Sequence, residues 1–322
     1  MSLATRRVGN DKVSEIGFGA ARLSPRGVES ASDEDRLQFL DALFEEGCTF
    51  WDTADRYGDS EILLGKWFKQ SGKRDQIFLA TKFGATADGL NNSPEYMKAQ
   101  IDNSLIRLGT DRIDLYSWSI KLLIVDKFKR VDKNIPIEKT IRAMIRYLGL
   151  SEVSAKTLRR AHLVDPIAAV QVEYSPFALD IEEIGLLQAC RQLGVTVVAY
   201  SPLGSGILTG AYKKHSDLPD NDIKRRVPKY SQENFPKVLE KHNATPSQVT
   251  LAWLLAQGQD IIPIPGTKNV KYLKENVGAV RVKLNLEEIA AVRKIVEMAN
   301  LGGFARYPPE YSDNLYADTV EE

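Results

Sequence analysis

The stretch Thr49–Asp59, TFWDTADRYGD, starts as the end of an apolar strand and breaks into a polar loop. Asp52 and Tyr57 both lie within it, and Lys82 closes the next apolar run, QIFLATK at Gln76–Lys82. A carboxylate, a phenol and an amine at the ends of consecutive strands form a candidate proton-transfer site. An unperturbed tyrosine phenol titrates at about 10 and is a weak acid at neutral pH. A neighbouring ammonium favours the phenolate and draws the phenol toward useful acid–base range. A carboxylate beside the lysine keeps the amine in place and charged. Such a set suits protonation of a carbonyl oxygen while hydride arrives at its carbon. A structural Asp–Lys ion pair with Tyr57 as an exposed loop residue explains the spacing equally well, so the other strand ends must decide.

Working outward, short apolar runs alternate with amphipathic stretches. A hairpin is expected first: Thr5–Val8, a turn at Gly9-Asn10-Asp11, then Lys12–Ser14. Eight strands follow, at Glu15–Phe18, Thr49–Trp51, Ile77–Thr81, Arg112–Tyr116, Tyr147–Leu150, Ala169–Val172, Thr196–Ala199 and Ile261–Ile264. Helical patterns separate them. Asp33–Glu46 carries Leu37, Leu40, Leu43 and Phe44 on one face behind an N-cap at Ser32. Others are Glu61–Lys69, Pro94–Leu108, Asp180–Leu193 ending at Gly194, and Thr245–Gln257 with Pro246 at its first position. Strand–helix alternation repeated in this way predicts an α/β fold, a (β/α)8 TIM barrel with an N-terminal β-hairpin, as a single domain over residues 1–322. An open doubly wound sheet is the runner-up, disfavoured because no G-x-G-x-x-G opens a helix. The charged loop 213–226 is long enough for a lid, and the stretch from Gly302, with Tyr307, Tyr311 and Tyr316, is expected to pack over the barrel as a tail.

Composition narrows the partners. The 322 residues are 43% hydrophobic, ample for a large core, and 43 basic residues balance 43 acidic ones. That balance gives no reason to expect nucleic acid or an anionic membrane. No apolar run approaches the roughly 18 residues of a membrane span, and MSLATRRVGNDK lacks an apolar signal core. Cys48 and Cys190 make neither a disulfide framework nor a metal spacing. A cytoplasmic protein is the expectation, and Cys48 reads as a small buried hydrophobe.

In a barrel the chemistry sits at the carboxyl ends of the strands. SPLGSGILTG at Ser201–Gly210 is glycine-rich, with backbone N–H groups able to approach a pyrophosphate. The segment Ile262–Asn276 places Gly266-Thr267-Lys268 before a helix, where an N-terminus and Lys268 suit a phosphate. Tyr200 is placed to stack on a planar ring or to fill the barrel mouth. Each feature has a plainer explanation: a flexible loop, a solvated lysine, a packed aromatic. Two phosphate-compatible loops on the face that carries Tyr57 point together to a dinucleotide cofactor.

WDTADRYG, the strand ending at Lys82, GLSE, VQVEYSPF, AYSPLGSGILTG and IPIPGTK followed by EN together resemble the aldo-keto reductase superfamily, over nearly the whole chain. The closing RYPPEYSDNLYADT is similar to fungal pyridoxal-reductase-like members. The resemblance implies a barrel that binds NADPH without a Rossmann domain and reduces small-molecule aldehydes or ketones. In that family pattern Tyr57 is the proton donor, Lys82 lowers its pKa and Asp52 supports Lys82. Ser151 and Gln171 match positions that bind the nicotinamide amide, and Tyr200 the residue that stacks on its ring. Ser201, Leu203, Gly204 and Gly206 match the pyrophosphate loop; Gly266, Lys268, Glu275 and Asn276 match the adenosine end, with Lys268 toward the 2′-phosphate. Gly19 and Ala20 match a loop near the substrate, and Trp118 and Ser119 the substrate side of strand four.

One part of the pattern is missing. Family members continue strand four to a histidine that donates to the substrate oxygen. Counting forward from Asp114-Leu115-Tyr116 puts Ser119 there; counting back from Arg130-Val131-Asp132 puts Lys129 there. The intervening IKLLIVDKFK has no family counterpart, and the helix after Ile137 is short by about seven residues, two turns. His162, His215 and His242 do not repair this. Three readings remain open: Ser119 or Lys129 as the donor, a protein that binds NADPH without efficient turnover and acts in regulation or interaction, or a splice-junction error across 117–145. A metal-dependent barrel hydrolase is a distant further reading.

Overall fold

The computed structural model describes residues 3–24, 31–86, 89–90, 94–118, 147–210, 243–298, 315–316 and 318–319. The chain opens with an antiparallel hairpin, β1 (Thr5–Val8) and β2 (Asp11–Ser14). Eight parallel strands then form one sheet: β3 (Phe18–Gly19), β4 (Phe50–Asp52), β5 (Phe78–Phe83), β8 (Leu115–Trp118), β9 (Leu148–Ser151), β10 (Ile167–Glu173), β11 (Thr196–Tyr200) and β12 (Ile261–Pro263), each beside its sequence neighbour. A small hairpin, β6 (Ala85–Thr86) and β7 (Gly89–Leu90), follows β5 and was not expected from the sequence.

The sheet curls until its ends meet. Gly17 N–H donates to Pro263 O at 2.9 Å and Gly19 N–H to Pro265 O at 3.4 Å. The seam requires glycine on both sides. A Cβ on Gly19 would stand 2.8 Å from the Ile264 carbonyl oxygen, and one on Gly266 would stand 2.7 Å from that of Gly19. The expected barrel is therefore present.

Inside it, Phe50, Phe78, Ala80, Leu115, Val198 and Ile262 pack together, and Val8 and Val13 of the hairpin close the floor. Arg6 fastens this plug. Its buried guanidinium donates to the carbonyls of Gly258, Ile261 and Leu255. Leu255 lies in the last turn of the helix Pro246–Ala256 and Gly258 just past it, where unpaired carbonyls collect and a cation is favoured, and Ile261 opens β12.

Helices cover the outside: α1 (Asp33–Glu45), α2 (Ser60–Ser71), α3 (Pro94–Leu108), α4 (Ala155–Val164), α5 (Asp180–Glu183), α6 (Leu186–Leu193), α7 (Pro246–Ala256), α8 (Val270–Gly278) and α9 (Leu286–Met298). Ser32 and Asp35 make a capping box on α1, and Thr245 and Gln248 make one on α7 behind Pro246. The single helix expected over Asp180–Leu193 is two, broken at Gly185 with φ 74°. Strand four starts later than expected because Asp114 is tied up ahead of it, accepting from Arg74 Nη2 and Leu79 N–H, each at 2.8 Å. The first strand also starts late, since Glu15 N–H still serves the hairpin side through Ala4 O at 3.0 Å. Cys48 is buried, its thiol directed to Ile16 O at 3.4 Å. Among the described residues no helix is long and apolar enough to cross a membrane.

Candidate active site

The parallel sheet gathers its carboxyl ends at one mouth. β4 delivers Asp52 there, β5 delivers Lys82, and β10 delivers Gln171, all three buried. Lys82 Nζ donates to Asp52 Oδ2 and to the Thr53 carbonyl, both at 2.6 Å. Gln171 Nε2 donates to the other carboxylate oxygen, Asp52 Oδ1, at 2.8 Å. Tyr57 is half-buried, with Lys82 Nζ 5.0 Å from its ring centre. The structure thus brings the three sequence-predicted residues together and adds Gln171 to the same carboxylate.

Burial by itself lowers the Lys82 ammonium. The Asp52 carboxylate and Tyr57 outweigh it and hold the lysine above its ordinary value. Burial pushes the Asp52 carboxyl up, against the pull of Lys82 and Gln171. The pair therefore keeps a charged ammonium under the Tyr57 ring throughout the neutral range.

Ser151 ends β9, and its buried Oγ has no hydrogen-bond partner among the described residues. A buried hydroxyl left unpaired marks a place where a ligand polar group fits. The next residue, Glu152, is fully buried at φ 52°, outside ordinary strand geometry. Its carboxylate accepts the Tyr200 hydroxyl at 2.7 Å and the Glu173 N–H at 3.1 Å. Three strand ends are thereby tied at one point, and the Tyr200 ring is held by its oxygen. From the sequence Glu152 was only part of GLSE; its one signal was a carboxylate directly after an apolar run.

Downstream of Tyr200, Gly204–Thr209 winds into a 3-10 helix. The N–H of Gly204 bonds Ser201 O at 2.8 Å and that of Gly206 bonds Leu203 O at 3.0 Å. These two N–H groups therefore serve the loop itself, a different arrangement from the open one read from the glycines. Past β12, Lys268 is exposed just before Asn269, which caps α8 by accepting from Lys271 N–H at 2.8 Å. Glu275 accepts the Thr245 hydroxyl at 2.6 Å, and Asn276 is buried beside it in α8. Gly19 and Ala20 sit at the closing seam, and Trp118 pairs with Phe83 at the end of β8.

Ser119, Lys129, the loop 213–226, Tyr307, Tyr311, His215 and His242 lie outside the described residues. His162 has a packing role, its Nδ1 accepting the Ile167 N–H at 3.2 Å. The described part of the tail does pack as expected: Tyr316 N–H donates to Glu152 O at 3.1 Å, and Arg160 Nη1 to Thr319 O at 2.9 Å.

A second acidic group went unread in the sequence. Glu61 is buried, pairing with Arg107 Nε and the Thr81 hydroxyl, each at 2.6 Å. Asp55, beside Tyr57 in the loop, is pushed up to about 7 by burial and by Glu61. An acid raised in this way stabilises the fold most below its unfolded value of 3.8 and loses that contribution as pH rises through about 7. The full shift corresponds to about 4 kcal/mol; water at the loop screens part of it. Asp55→Asn is expected to gain about 2 kcal/mol over the parent near pH 8, with the gap closing toward pH 4. Urea unfolding across that range checks it, and a gap independent of pH would refute it.

The Aldo/keto reductase family profile matches residues 15–297. The aldo-keto reductase str7 of Strobilurus tenacellus is 54% identical over 328 residues, covering 94% of this chain and 95% of its own. The aldo-keto reductase yakc of Schizosaccharomyces pombe, whose name carries NADP(+), is 47% identical over 347 residues, covering 99% and 98%. The solved structure of the glycerol dehydrogenase of Gluconobacter oxydans superposes with a TM-score of 0.80 at 23% identity, over 95% of this chain and 98% of that one, a likeness of fold. Barrel, strand-end residues and these matches agree: the chain belongs to the aldo/keto reductase family.

Proposed function

We propose that this single barrel domain reduces an aldehyde or ketone to an alcohol with NADPH, with Tyr57 as the proton donor. The observation that carries the reading is Lys82 Nζ, bound to Asp52 at 2.6 Å and standing 5.0 Å from the Tyr57 ring centre. The chain itself fits the cofactor: among the described residues Ser151 Oγ is buried and unpaired, and Gln171 Nε2 gives one of its two N–H groups to Asp52. Ser151 Oγ is free to donate to the nicotinamide amide, and Gln171 offers its oxygen and its second N–H. Tyr200 would face the ring, Ser201, Leu203, Gly204 and Gly206 the pyrophosphate, and Gly266, Lys268, Glu275 and Asn276 the adenosine end. NADPH, when bound, supplies hydride to the carbonyl carbon. The protein's part is the proton. Tyr57 passes its phenolic proton to the carbonyl oxygen as charge develops there. Lys82 stabilises the phenolate left behind, and Asp52 with Gln171 keeps the ammonium in place.

The NADP(+) in the name of the Schizosaccharomyces pombe relative supports the cofactor. The absence of a histidine at positions 117–119 motivates a second reading, binding of NADPH with little turnover. NADPH oxidation across a panel of small aldehydes and ketones separates the two. Substrate-dependent oxidation with alcohol formed in equal amount is expected; tight NADPH binding with no oxidation across the panel would favour the second.

A further inference from the structure

We infer that Arg36 is a positioning residue for Tyr57, clamping the far end of the catalytic loop so that the phenol stands over Lys82. The inference rests on the proposed role of Tyr57 as proton donor. Proton transfer needs its oxygen within hydrogen-bond reach of the substrate, and small misplacements are costly. The near end of the loop is fixed at Asp52 by Lys82 and Gln171. The far end has its own anchor.

Arg36 comes from α1 and is only 6% exposed. Its Nη1 and Nη2 donate to the two carboxylate oxygens of Asp59, both at 2.9 Å, the paired geometry that fixes orientation as well as distance. Nη2 also donates to Asp33, which accepts Lys66 Nζ at 2.5 Å. Asp59 occupies the N-cap position of α2, yet its side chain makes no cap hydrogen bond. A residue type suited to capping is instead committed to a guanidinium from another helix. That bond is the leading cause holding Asp59 below the carboxylate range and Arg36 above its own.

Between the two anchors the Tyr57 backbone is bonded on both sides. Its N–H donates to Ala54 O at 3.1 Å, and its carbonyl accepts from Ser60 N–H at 3.1 Å and from the Ser24 hydroxyl. Gly58 lies so close that a Cβ there would stand 3.0 Å from Ser24 Cβ. Arg36 Nη1 also reaches the Leu23 carbonyl at 3.4 Å, so one guanidinium holds Asp59 and the segment carrying Ser24. A shift of the Tyr57 backbone toward or away from Lys82 therefore strains this clamp.

The test compares Arg36→Met, Arg36→Lys and Asp59→Asn with the parent in kcat, NADPH affinity, solvent deuterium isotope effect and thermal unfolding. Arg36→Met and Asp59→Asn are each expected to lower kcat about 10- to 100-fold. NADPH affinity should stay within about twofold and the isotope effect on kcat should grow, because proton transfer is the step that suffers. The double variant should be no slower than Arg36→Met, and Arg36→Lys should recover part of the loss. Lower melting temperature with unchanged kcat in the folded enzyme would overturn the inference and leave a merely structural ion pair. If Arg36→Met does not fold, Asp59→Asn and Ser24→Ala decide on the same readouts. Tyr57→Phe separates the failures: full turnover in that variant sinks the proton-donor reading itself, whereas its inactivity beside a fully active Arg36→Met sinks only the clamp.

Discussion

Tyr57→Phe should reduce carbonyl turnover about 100- to 10,000-fold while NADPH affinity stays within about twofold. The change removes one oxygen and keeps the ring, so the packing over Lys82, 5.0 Å from the ring centre, survives. The Tyr57 backbone bonds to Ala54 and Ser60 do not involve the side chain and hold the loop as before. Only the hydroxyl proposed as the proton donor is lost. Single-turnover oxidation of bound NADPH checks this directly, since it separates chemistry from product release. A rate within threefold of the parent would place the donor elsewhere.

Lys82→Met is the second large effect, on stability as well as activity. It leaves the Asp52 carboxylate buried without its cation, which costs about 3–5 kcal/mol. The sign follows from the two shifts. Burial acts to lower Lys82, but Asp52 and Tyr57 raise it above 10.5, so its contribution is complete at neutral pH and lost only as pH rises through the folded value. Asp52 is pushed up by burial and loses its main opposing influence with the lysine. It then binds a proton more readily, so the penalty of Lys82→Met should shrink as pH falls. Asp52→Asn with Lys82→Met should regain most of the stability and none of the activity. Urea unfolding at two pH values together with turnover measures both, and a Lys82→Met single variant as stable as the parent would show the pair to be unimportant to the fold.

Much of the barrel was legible because its signals are local. Ser32 and Thr245 announce their helices by capping, Pro246 confirms one, and the polar residues Asp52, Lys82, Ser151 and Gln171, at or near the carboxyl ends of apolar runs, mark four strands. The candidate trio was legible because a polar residue closing an apolar strand is conspicuous. What escaped depends on partners far along the chain. Gln171 reaches Asp52 across 119 residues, and Glu152 meets the Tyr200 hydroxyl across 48. Arg36 looks in sequence like any helix arginine until Asp59 is placed against it. Asp55 and Glu61 carry no sequence signal that sets them apart from other loop and helix acids, and only burial and the approach of Arg107 do so. The break at Gly185 was missed because the apolar pattern continues across it, though the backbone does not.

The glycine seam has a mechanical consequence. β10 and β11 are zipped over five register positions, whereas the first and last strands share two backbone hydrogen bonds. A closed cylinder under thermal load parts first along its weakest line. That line runs beside Gly19 on one lip and Gly266 on the other, positions that the family resemblance would put near the substrate and near the adenosine end of the cofactor. Opening there would move Gly19, the register partner of Asp52, so the closure of the wall and the placement of the proposed proton site are coupled through the single short strand β3.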